Sequence, residues 1–290
     1  MQVAEGIGSQ CGKLLYRAQA QKKKLFGETI CGYEQLGIRE RCADMKVVVH
    51  WSGGKDCCTA LHKVVQQGHE VVSLVTYIYM EPYVFHSFKV IELQAKALGI
   101  PHKFVKITDE RYTDILEALT RFHVDQGVQA IVTGDIDNVP HKRAWDSVCK
   151  KLGIRFLLPL WDRPLGLLPG NRYRKRIMKM EQDAGVEAIL SCVDTRYFAE
   201  KWLAKPINPQ TIEEMKPLVG GWGKGIDISG EPGEYHSTTL NAPLFKQRVE
   251  ISKYVARRKV VDFGGWPYRE GDFLYMDVEE AVLKPKVATN

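Results

Sequence analysis

The chain has 290 residues, which is enough for one large domain or two small ones. Apolar residues make up 44% of it and charged residues 26%, a balance typical of globular proteins. No apolar run reaches the roughly 20 residues that a membrane span requires. The net charge of +6 is too small to indicate a polyanionic partner by itself. We therefore expect a globular protein that does not cross a membrane.

The seven cysteines are scattered without the regular spacing of a disulfide framework. Such usage favours a reducing compartment over an oxidising one. The N-terminal segment has no continuous apolar core, so it does not predict a secretory signal. We therefore expect a cytoplasmic location.

From residue 46 onward, short apolar runs alternate with stretches of helical periodicity. The runs rich in β-branched residues predict five strands, at 46–51, 70–78, 102–107, 129–136 and 155–160. The stretches between them predict four helices, at 57–67, 85–98, 109–126 and 141–153. This alternation predicts an α/β fold, in which helices cover both faces of a parallel sheet.

After Trp161 the alternation of strand and helix stops. A basic helix at 171–184 and a strand at 187–193 are followed by a glycine-rich stretch and by β-like runs. We predict three parts: an N-terminal extension at 1–44, a parallel-sheet domain at 45–160, and a second, smaller α+β lobe at 161–290. The basic run at 172–176 is typical of a solvated helix face, with an RNA contact as the alternative.

The segment SGGKD, at residues 52–56, lies between the first predicted strand and the first predicted helix. Gly53 and Gly54 let the backbone approach an anion, and the N–H groups at a helix start favour negative charge. Lys55 adds a positive charge, and Asp56 is a candidate ligand for Mg²⁺. We predict a site for nucleotide phosphates here, with a plain strand-to-helix turn capped by Asp56 as the alternative.

Further candidates follow the other predicted strands, because ligands of doubly wound sheets lie beyond the carboxyl ends of the strands. Thr76 and Tyr77, at the end of the second strand, are candidates to flank the adenine of a nucleotide. After the fourth strand, Gly134 allows close approach. Asp135 and Asp137 are candidates to bind metal or substrate, with turn capping as the alternative.

The segment GEPGEYH, at residues 230–236, carries two carboxylates and an imidazole around a Pro-Gly turn. Turn geometry explains Pro232 and Gly233, but it does not require Glu231, Glu234 or His236. We predict that this segment takes part in substrate binding, and a solvated acidic turn is the alternative.

The pentapeptide SGGKD resembles the PP-loop of the ATP pyrophosphatase superfamily, whose usual form is SGGKDS. Here Cys57 stands at the sixth position and removes one hydroxyl from the phosphate site. The segment at 230–236, together with NAPLFK at 241–246, resembles late motifs of the diphthine–ammonia ligase family. This resemblance covers residues 46 to 250. Asn241 and Ala242 depart from the acidic residue and glycine usual there.

The resemblance implies a doubly wound parallel sheet of the PP-loop ATP pyrophosphatase (HUP-like) type. It also implies that 45–160 is the nucleotide-binding domain and 161–290 the substrate-binding lobe. ATP, with Mg²⁺, would adenylate a carboxylate and release pyrophosphate, and ammonia would then displace AMP. The carboxylate would be protein-bound diphthine or a small molecule.

The same resemblance, together with the strand-end rule, assigns individual residues. Assigned to the nucleotide are Ser52, Gly53, Gly54, Lys55, Asp56, Cys57, Thr76, Tyr77, Gly134 and Asp135, with Asp56 also the metal ligand. Assigned to the substrate are Glu231, Gly233, Glu234, Tyr235, Asp137 and Arg163. Assigned to catalysis are Lys55, Asp56, Glu234 and His236. Of these four, His236 would accept a proton from ammonia or form a hydrogen bond to the turn.

Two other functions stay open at this point. Sulfur transfer begins with the same adenylate, but no CxxC pair is present to support it. Cys57 itself is either a reactive thiol at a helix start or a small packing residue, and packing is favoured. A regulator that binds ATP without cleaving it is the second alternative. The sequence also leaves open a homodimer and a nucleic-acid contact, although it does not favour the latter.

Overall fold

The computed structural model describes residues 44–78, 84–107, 112–161, 171–220, 224–262 and 270–286. The predicted N-terminal extension at 1–44, apart from its last residue, lies outside these ranges, and so does Arg163. Within the described ranges, no helix combines the length and the apolar character needed to cross a bilayer.

The first lobe is built on a five-stranded parallel sheet in the order β3-β2-β1-β4-β5. Its strands are β1 (Lys46–His50), β2 (Glu70–Ile78), β3 (His102–Lys106), β4 (Ala130–Val132) and β5 (Arg155–Leu157). Its helices are α1 (Lys55–Gln66), α2 (Phe88–Leu98), α3 (Tyr112–Val124) and α4 (Val139–Leu152). The predicted α/β fold with a doubly wound parallel sheet is confirmed.

The continuous apolar sequence of β1 follows from burial on both faces of the sheet. Val47 and Val49 belong to the core that contains residues of α1 and α2, whereas Val48 belongs to the core that contains residues of α3 and α4. A strand covered on both sides has no polar face, so its sequence shows no alternation. The helices α2 and α4 end at Gly99 and Gly153, which adopt left-handed φ values of +70° and +68°.

The second lobe is built on a four-stranded antiparallel sheet in the order β7-β6-β9-β8. Its strands are β6 (Glu187–Asp194), β7 (Tyr235–Asn241), β8 (Arg248–Asp262) and β9 (Glu270–Lys284). Helices α5 (Asn171–Asp183) and α6 (Pro209–Met215) complete it, with 3₁₀ turns at Glu200–Trp202 and Lys216–Leu218. The predicted second, α+β lobe is confirmed, and its sheet has four strands against five in the first lobe.

The strands differ from the sequence-based expectation in three places. β4 ends at Val132, because the following residues leave the sheet and form a loop at its edge. β5 ends at Leu157, close to Pro159, which has no N–H to donate to a neighbouring strand. β9 was not predicted; its glutamate-rich sequence gives little strand signal, and it forms by pairing along its length with β8.

The two lobes share one hydrophobic core and are docked by backbone contacts. Phe245, from the NAPLFK segment, is buried in the core that also contains residues of α1 and α2. The N–H of Leu244 donates to Nε2 of His62 at 3.2 Å, and the N–H of Lys246 donates to the carbonyl oxygen of Ala97 at 2.7 Å. This segment therefore attaches the second lobe to α1 and α2.

A buried amide on α2 connects two other segments of the chain. Gln94 is fully buried, and its Oε1 accepts a hydrogen bond from Nε1 of Trp51 at 3.1 Å. Its Nε2 donates to the carbonyl oxygens of Gly53 at 2.9 Å and of Thr239 at 2.8 Å. The N–H of Thr239 also donates to Gly53 O at 2.9 Å. One side chain thus links the loop after β1 to strand β7 of the second lobe.

We expect Gln94→Leu to lower the free energy of unfolding by about 2–4 kcal/mol. The variant leaves Trp51 Nε1 and Thr239 O buried without partners, and each unsatisfied group costs roughly 1–3 kcal/mol. Urea unfolding measures the change. As a control, Gln126→Leu at an exposed position should alter stability by no more than about 0.5 kcal/mol. Equal effects of the two changes would contradict the linking role of Gln94.

Candidate active site

A pocket of about 290 Å³ opens beyond the carboxyl ends of β1, β2 and β4. Its lining combines the loop of residues 52–57 with the ends of β1 and β2, the loop after β4 and the segment from Ser229 to Ser237. Both lobes therefore contribute to one site. The location is the one expected for ligands of doubly wound sheets, and the volume is at the lower end of the range for small-molecule pockets.

The loop after β1 has the backbone geometry that an anion site requires. Gly53 has a φ of +79°, and a Cβ there would lie 2.4 Å from Oε1 of Gln94. Gly54 caps α1 and lies against β7, where a Cβ would be 3.3 Å from the carbonyl oxygen of Ser237. The first N–H groups of α1 have no partner within the helix, and that of Lys55 donates to Ser237 Oγ at 3.1 Å.

The ammonium group of Lys55 is fixed beside this loop by two carboxylates. Its Nζ donates to both oxygens of Asp56, at 2.8 and 2.9 Å, and to Oε1 of Glu181 on α5, at 3.2 Å. Burial acts to lower the pKa of Lys55, but the charges of Asp56 and Glu181 outweigh it and raise the pKa. Burial, and then the charge of Asp56, raise the pKa of Glu181 despite the neighbouring ammonium. Lys55 therefore stays positively charged.

Cys57 is held as a neutral thiol in the first turn of α1. Its Sγ donates to the carbonyl oxygen of Gly54 at 3.2 Å and accepts from Ser52 Oγ at 3.4 Å. Burial raises the pKa of this thiol, and this outweighs the hydrogen bond from Ser52. The geometry favours the packing role over a reactive thiolate.

The first carboxylate after β4 belongs to a hydrogen-bonded chain. Asp135 Oδ2 accepts from Thr133 Oγ1 at 2.5 Å and from Nδ1 of His141 at 2.8 Å. The Nε2 atom of His141 accepts from Nε1 of Trp145 at 3.1 Å, so the ring is the neutral tautomer that carries its proton on Nδ1. Asp135 is thereby held at the pocket wall.

The second carboxylate after β4 is paired with a buried guanidinium. Nη2 of Arg174 donates to Asp137 at 2.6 Å, and its Nε donates to Asp227 of the second lobe at 2.7 Å. Arg174 lies within the basic run that the sequence favoured as a solvated face. Lys175 and Arg176 are exposed, as that expectation requires. Arg174 is buried instead, and its charge can be buried because one carboxylate from each lobe compensates it.

The acidic turn reaches the loop after β4 through Glu231. Its Oε1 accepts from the backbone N–H groups of Ile136 and Asp137, both at 3.2 Å. Burial raises the pKa of Glu231 well above its usual value, and the charges of Asp135 and Asp56 add to this rise. The surroundings of Glu231 therefore favour its protonated form, and a bound cation would favour the ionised form instead.

Glu234 and Tyr235 support the turn from behind. Glu234 is buried outside the pocket lining, and its Oε1 accepts from the N–H of Asp227 at 3.0 Å. Burial raises the pKa of Glu234 to about 7. The hydroxyl of Tyr235 donates to the carbonyl oxygen of Ile228 at 2.8 Å, while the residue also borders the pocket. Both side chains hold the backbone of the turn in place.

His236 lines the pocket within an aromatic group. Its ring stacks on Phe85 with centroids 4.3 Å apart and lies 5.5 Å from His86 and 6.3 Å from Phe273. Burial lowers the pKa of His236 to about 3, with smaller contributions from His86 and Lys55. The imidazole is therefore neutral at physiological pH, and a neutral ring offers one hydrogen-bond acceptor.

The end of β2 forms another part of the pocket wall. Thr76 Oγ1 is bonded to the carbonyl oxygen of Trp51 and, at 2.8 Å, to Nε2 of His102. The ring of Tyr77 lies 4.3 Å from that of His50, which also lines the pocket. Burial lowers the pKa of His50, so this ring is neutral as well.

Most of the residues that the sequence singled out meet in this pocket. Its lining includes Ser52, Gly54, Lys55, Asp56, Cys57, Thr76, Tyr77, Gly134, Asp135, Glu231, Gly233, Tyr235 and His236. Gly53, Asp137 and Glu234 lie behind the lining, and Arg163 is outside the described residues. Sequence reasoning missed His50, His86, Gln94, Glu181 and Ser237. Only Ser237 had a local signal, because it directly follows the acidic segment.

We expect Gly134→Ala to destabilise the contact between the β4 loop and α1. A Cβ at Gly134 would lie 2.6 Å from the backbone nitrogen of Cys57, which is too close for either backbone to remain in place. Overpacking of this kind costs about 1–3 kcal/mol, and Gly134→Val should cost more than Gly134→Ala. Thermal unfolding measures both variants. A melting temperature unchanged in the valine variant would contradict the close approach.

Comparison with known proteins gives a consistent result over both lobes. Models of the diphthamide synthase N-terminal and C-terminal domains match residues 45–156 and 174–266. Proteins named diphthine–ammonia ligase from Rattus norvegicus and Homo sapiens are 24% and 26% identical, each over 71% of this chain and 83% of their own length. The Schizosaccharomyces pombe protein of that name is 28% identical over 82% of this chain and 40% of its own length. The resemblance seen in the sequence is thus confirmed, and the chain belongs to the diphthamide synthase family of PP-loop proteins.

Proposed function

We propose that this protein is an ATP-dependent ligase that amidates a carboxylate with ammonia through an acyl-adenylate. The observation that carries the proposal is that Lys55 on the phosphate loop and Glu231 on the acidic turn line the same pocket. The relatives named diphthine–ammonia ligase support this chemistry and make the carboxylate of diphthine the first candidate substrate. A small-molecule carboxylate is the alternative.

In the first half of the reaction, a carboxylate oxygen of the substrate attacks the α-phosphorus of ATP. The bond from that phosphorus to the bridging oxygen breaks, and pyrophosphate leaves. Negative charge grows on the departing phosphates, so the charged Lys55 and the N–H groups at the start of α1 stabilise this step more than the ground state. Lys55 keeps its proton throughout, since its pKa is raised.

The pocket also suits a magnesium ion that arrives with the nucleotide. The carboxyl groups of Asp56 and Asp135 line the pocket, and carboxylate oxygens are ligands that Mg²⁺ prefers. Among the described residues, no three side chains form a complete metal site. We assign Asp56, at the phosphate loop, as the residue that would hold such an ion. When bound, the ion would neutralise phosphate charge.

In the second half, ammonia attacks the acyl carbon, the bond to the AMP oxygen breaks, and one proton is released. The neutral ring of His236 accepts a hydrogen bond from ammonia and orients its lone pair. Because the pKa of His236 is about 3, the ring does not retain a proton at physiological pH, and its role is to orient ammonia. A cationic group of the substrate, bound beside Glu231, would favour the ionised form of this carboxyl group and pair with it. Glu234 holds the turn from behind.

The described cysteines support ammonia over sulfur as the nucleophile. Cys57, Cys58, Cys149 and Cys192 are all buried, and burial raises the pKa of each thiol, to about 12 for Cys149. A sulfur carrier requires an accessible thiolate or persulfide. Cys57 lines the pocket, but burial favours its neutral thiol, and Cys58, Cys149 and Cys192 lie outside the pocket lining.

Three expectations from the sequence remain proposals. We keep the cytoplasmic location, a homodimer, and the division into a nucleotide-binding domain at 45–160 and a substrate-binding lobe at 161–290. The boundary agrees with the change from a parallel to an antiparallel sheet.

We expect the nucleotide products to be AMP and pyrophosphate, with turnover that depends on ammonium and on a carboxylate acceptor. Chromatography of the reaction mixture identifies the products. Lys55→Ala should abolish turnover, because a charge-assisted contact is worth roughly 1.5–3 kcal/mol in binding and more where charge develops. ADP as the main product would contradict the adenylation chemistry. ATP binding without any AMP would instead indicate a nucleotide sensor.

We expect Glu231→Gln to reduce amide formation while ATP affinity, measured by calorimetry, changes little. Glu234→Gln is the matched change on the same turn, outside the pocket lining. Its main effect should be on stability, because the folded chain favours the protonated form of Glu234 up to about pH 7. The stability contributed by Glu234 is complete below about pH 4.5 and falls as the pH rises toward 7. The free energy of unfolding of the glutamine variant should therefore lack this dependence on pH. Equal losses of activity in both variants would place Glu234 in the reaction.

A further inference from the structure

One side chain of the second lobe lies directly at the phosphate loop and has no role so far. Ser237, on β7, is buried and lines the pocket. Its Oγ accepts the backbone N–H of Lys55 at 3.1 Å, so the hydroxyl lies in the first turn of α1. The phosphates of a nucleotide would bind this turn.

The hydroxyl of Ser237 still has a proton to donate. A serine hydroxyl has one donor and two acceptor positions, and the N–H of Lys55 occupies an acceptor position. Among the residues that the structure describes, no group accepts the hydroxyl proton. Because the side chain borders the pocket, a ligand oxygen there is its natural acceptor.

The loop itself lacks a hydroxyl at the place where PP-loops usually have one. Cys57 occupies that sixth position, and its thiol is turned to the carbonyl oxygen of Gly54 and to Ser52. A thiol is a weaker hydrogen-bond donor than a hydroxyl. Ser237 brings a hydroxyl to the same helix start from the other lobe.

The position of Ser237 relative to the loop is rigidly fixed. The N–H of Thr239, two residues further along β7, donates to Gly53 O, and Gln94 bonds to both of these residues. At Gly54 the backbones of the loop and β7 approach so closely that an added Cβ would lie 3.3 Å from Ser237 O. The hydroxyl is therefore pre-positioned, which spares the cost of ordering it when a ligand binds.

We propose that the hydroxyl of Ser237 binds a phosphate oxygen of the pyrophosphate part of ATP and so completes the phosphate loop from the second lobe. The inference rests on the proposed function only in taking ATP as the ligand. A plain helix cap is the competing role, and it would contribute to folding but not to the distinction between nucleotides.

The test is calorimetric binding of Mg·ATP and of AMP, without acceptor, to the native protein and to Ser237→Ala. Loss of a hydrogen bond to a charged phosphate should weaken ATP binding about tenfold, whereas AMP, which lacks the pyrophosphate part, should change less than twofold. Thr238→Val is the control, because Thr238 is the buried neighbour on β7 outside the pocket lining. It should bind both nucleotides as the native protein does.

Two further variants test the same proposal. Adding Cys57→Ser to Ser237→Ala should restore part of the ATP affinity, because it returns a hydroxyl to the first turn. If Ser237→Ala does not fold, Ser237→Cys keeps a polar atom near the N–H of Lys55 and should still lose ATP affinity. Native ATP affinity in the folded variant, or equal losses for ATP and AMP, would overturn the proposal. A native protein that binds ATP but forms no amide would contradict the proposed function and leave this test unaffected.

Discussion

The buried amide of Gln94 is the constraint on which the rest of the site depends. A buried amide is costly unless its donors and acceptor are all paired, and here Trp51, Gly53 and Thr239 pair them. These partners lie in both lobes, so the phosphate loop takes its geometry from the assembled protein and not from β1 and α1 alone. The anion site and the second lobe are therefore one structural unit.

The electrostatics of the pocket follow from that assembly. Lys55 and Arg174 are buried cations, and each is compensated by two carboxylates, one of them from beyond the first lobe. Uncompensated, either charge would be strongly destabilising at such depth. Glu231 also lines the pocket, where burial and the charges of Asp135 and Asp56 raise its pKa. The proposed magnesium ion would reduce the repulsion between these carboxyl groups and the phosphates of a nucleotide.

Local patterns were enough to predict the parallel sheet and the glycine turn between β1 and α1, because strand, turn and helix follow each other directly in the sequence. They could not identify Glu181 or Gln94, which reach the loop from helices that are distant in sequence and carry no motif. Arg174 was misjudged because a basic run gives no hint that Asp137 and Asp227 converge on it. β9 was missed because its glutamates favour helix, and pairing with β8 overrides that preference.

Strand β7 relates the two halves of the proposed reaction. It starts at the acidic turn, where Glu231 holds the backbone of the β4 loop, and two residues into the strand Ser237 bonds the start of α1. A shift of β7 would therefore change the phosphate loop and the acceptor side together. If a ligand on one side favours a particular position of this strand, it must alter affinity on the other side by the same factor, because coupling free energies are reciprocal. The two halves of the proposed reaction would therefore share β7 as a structural element.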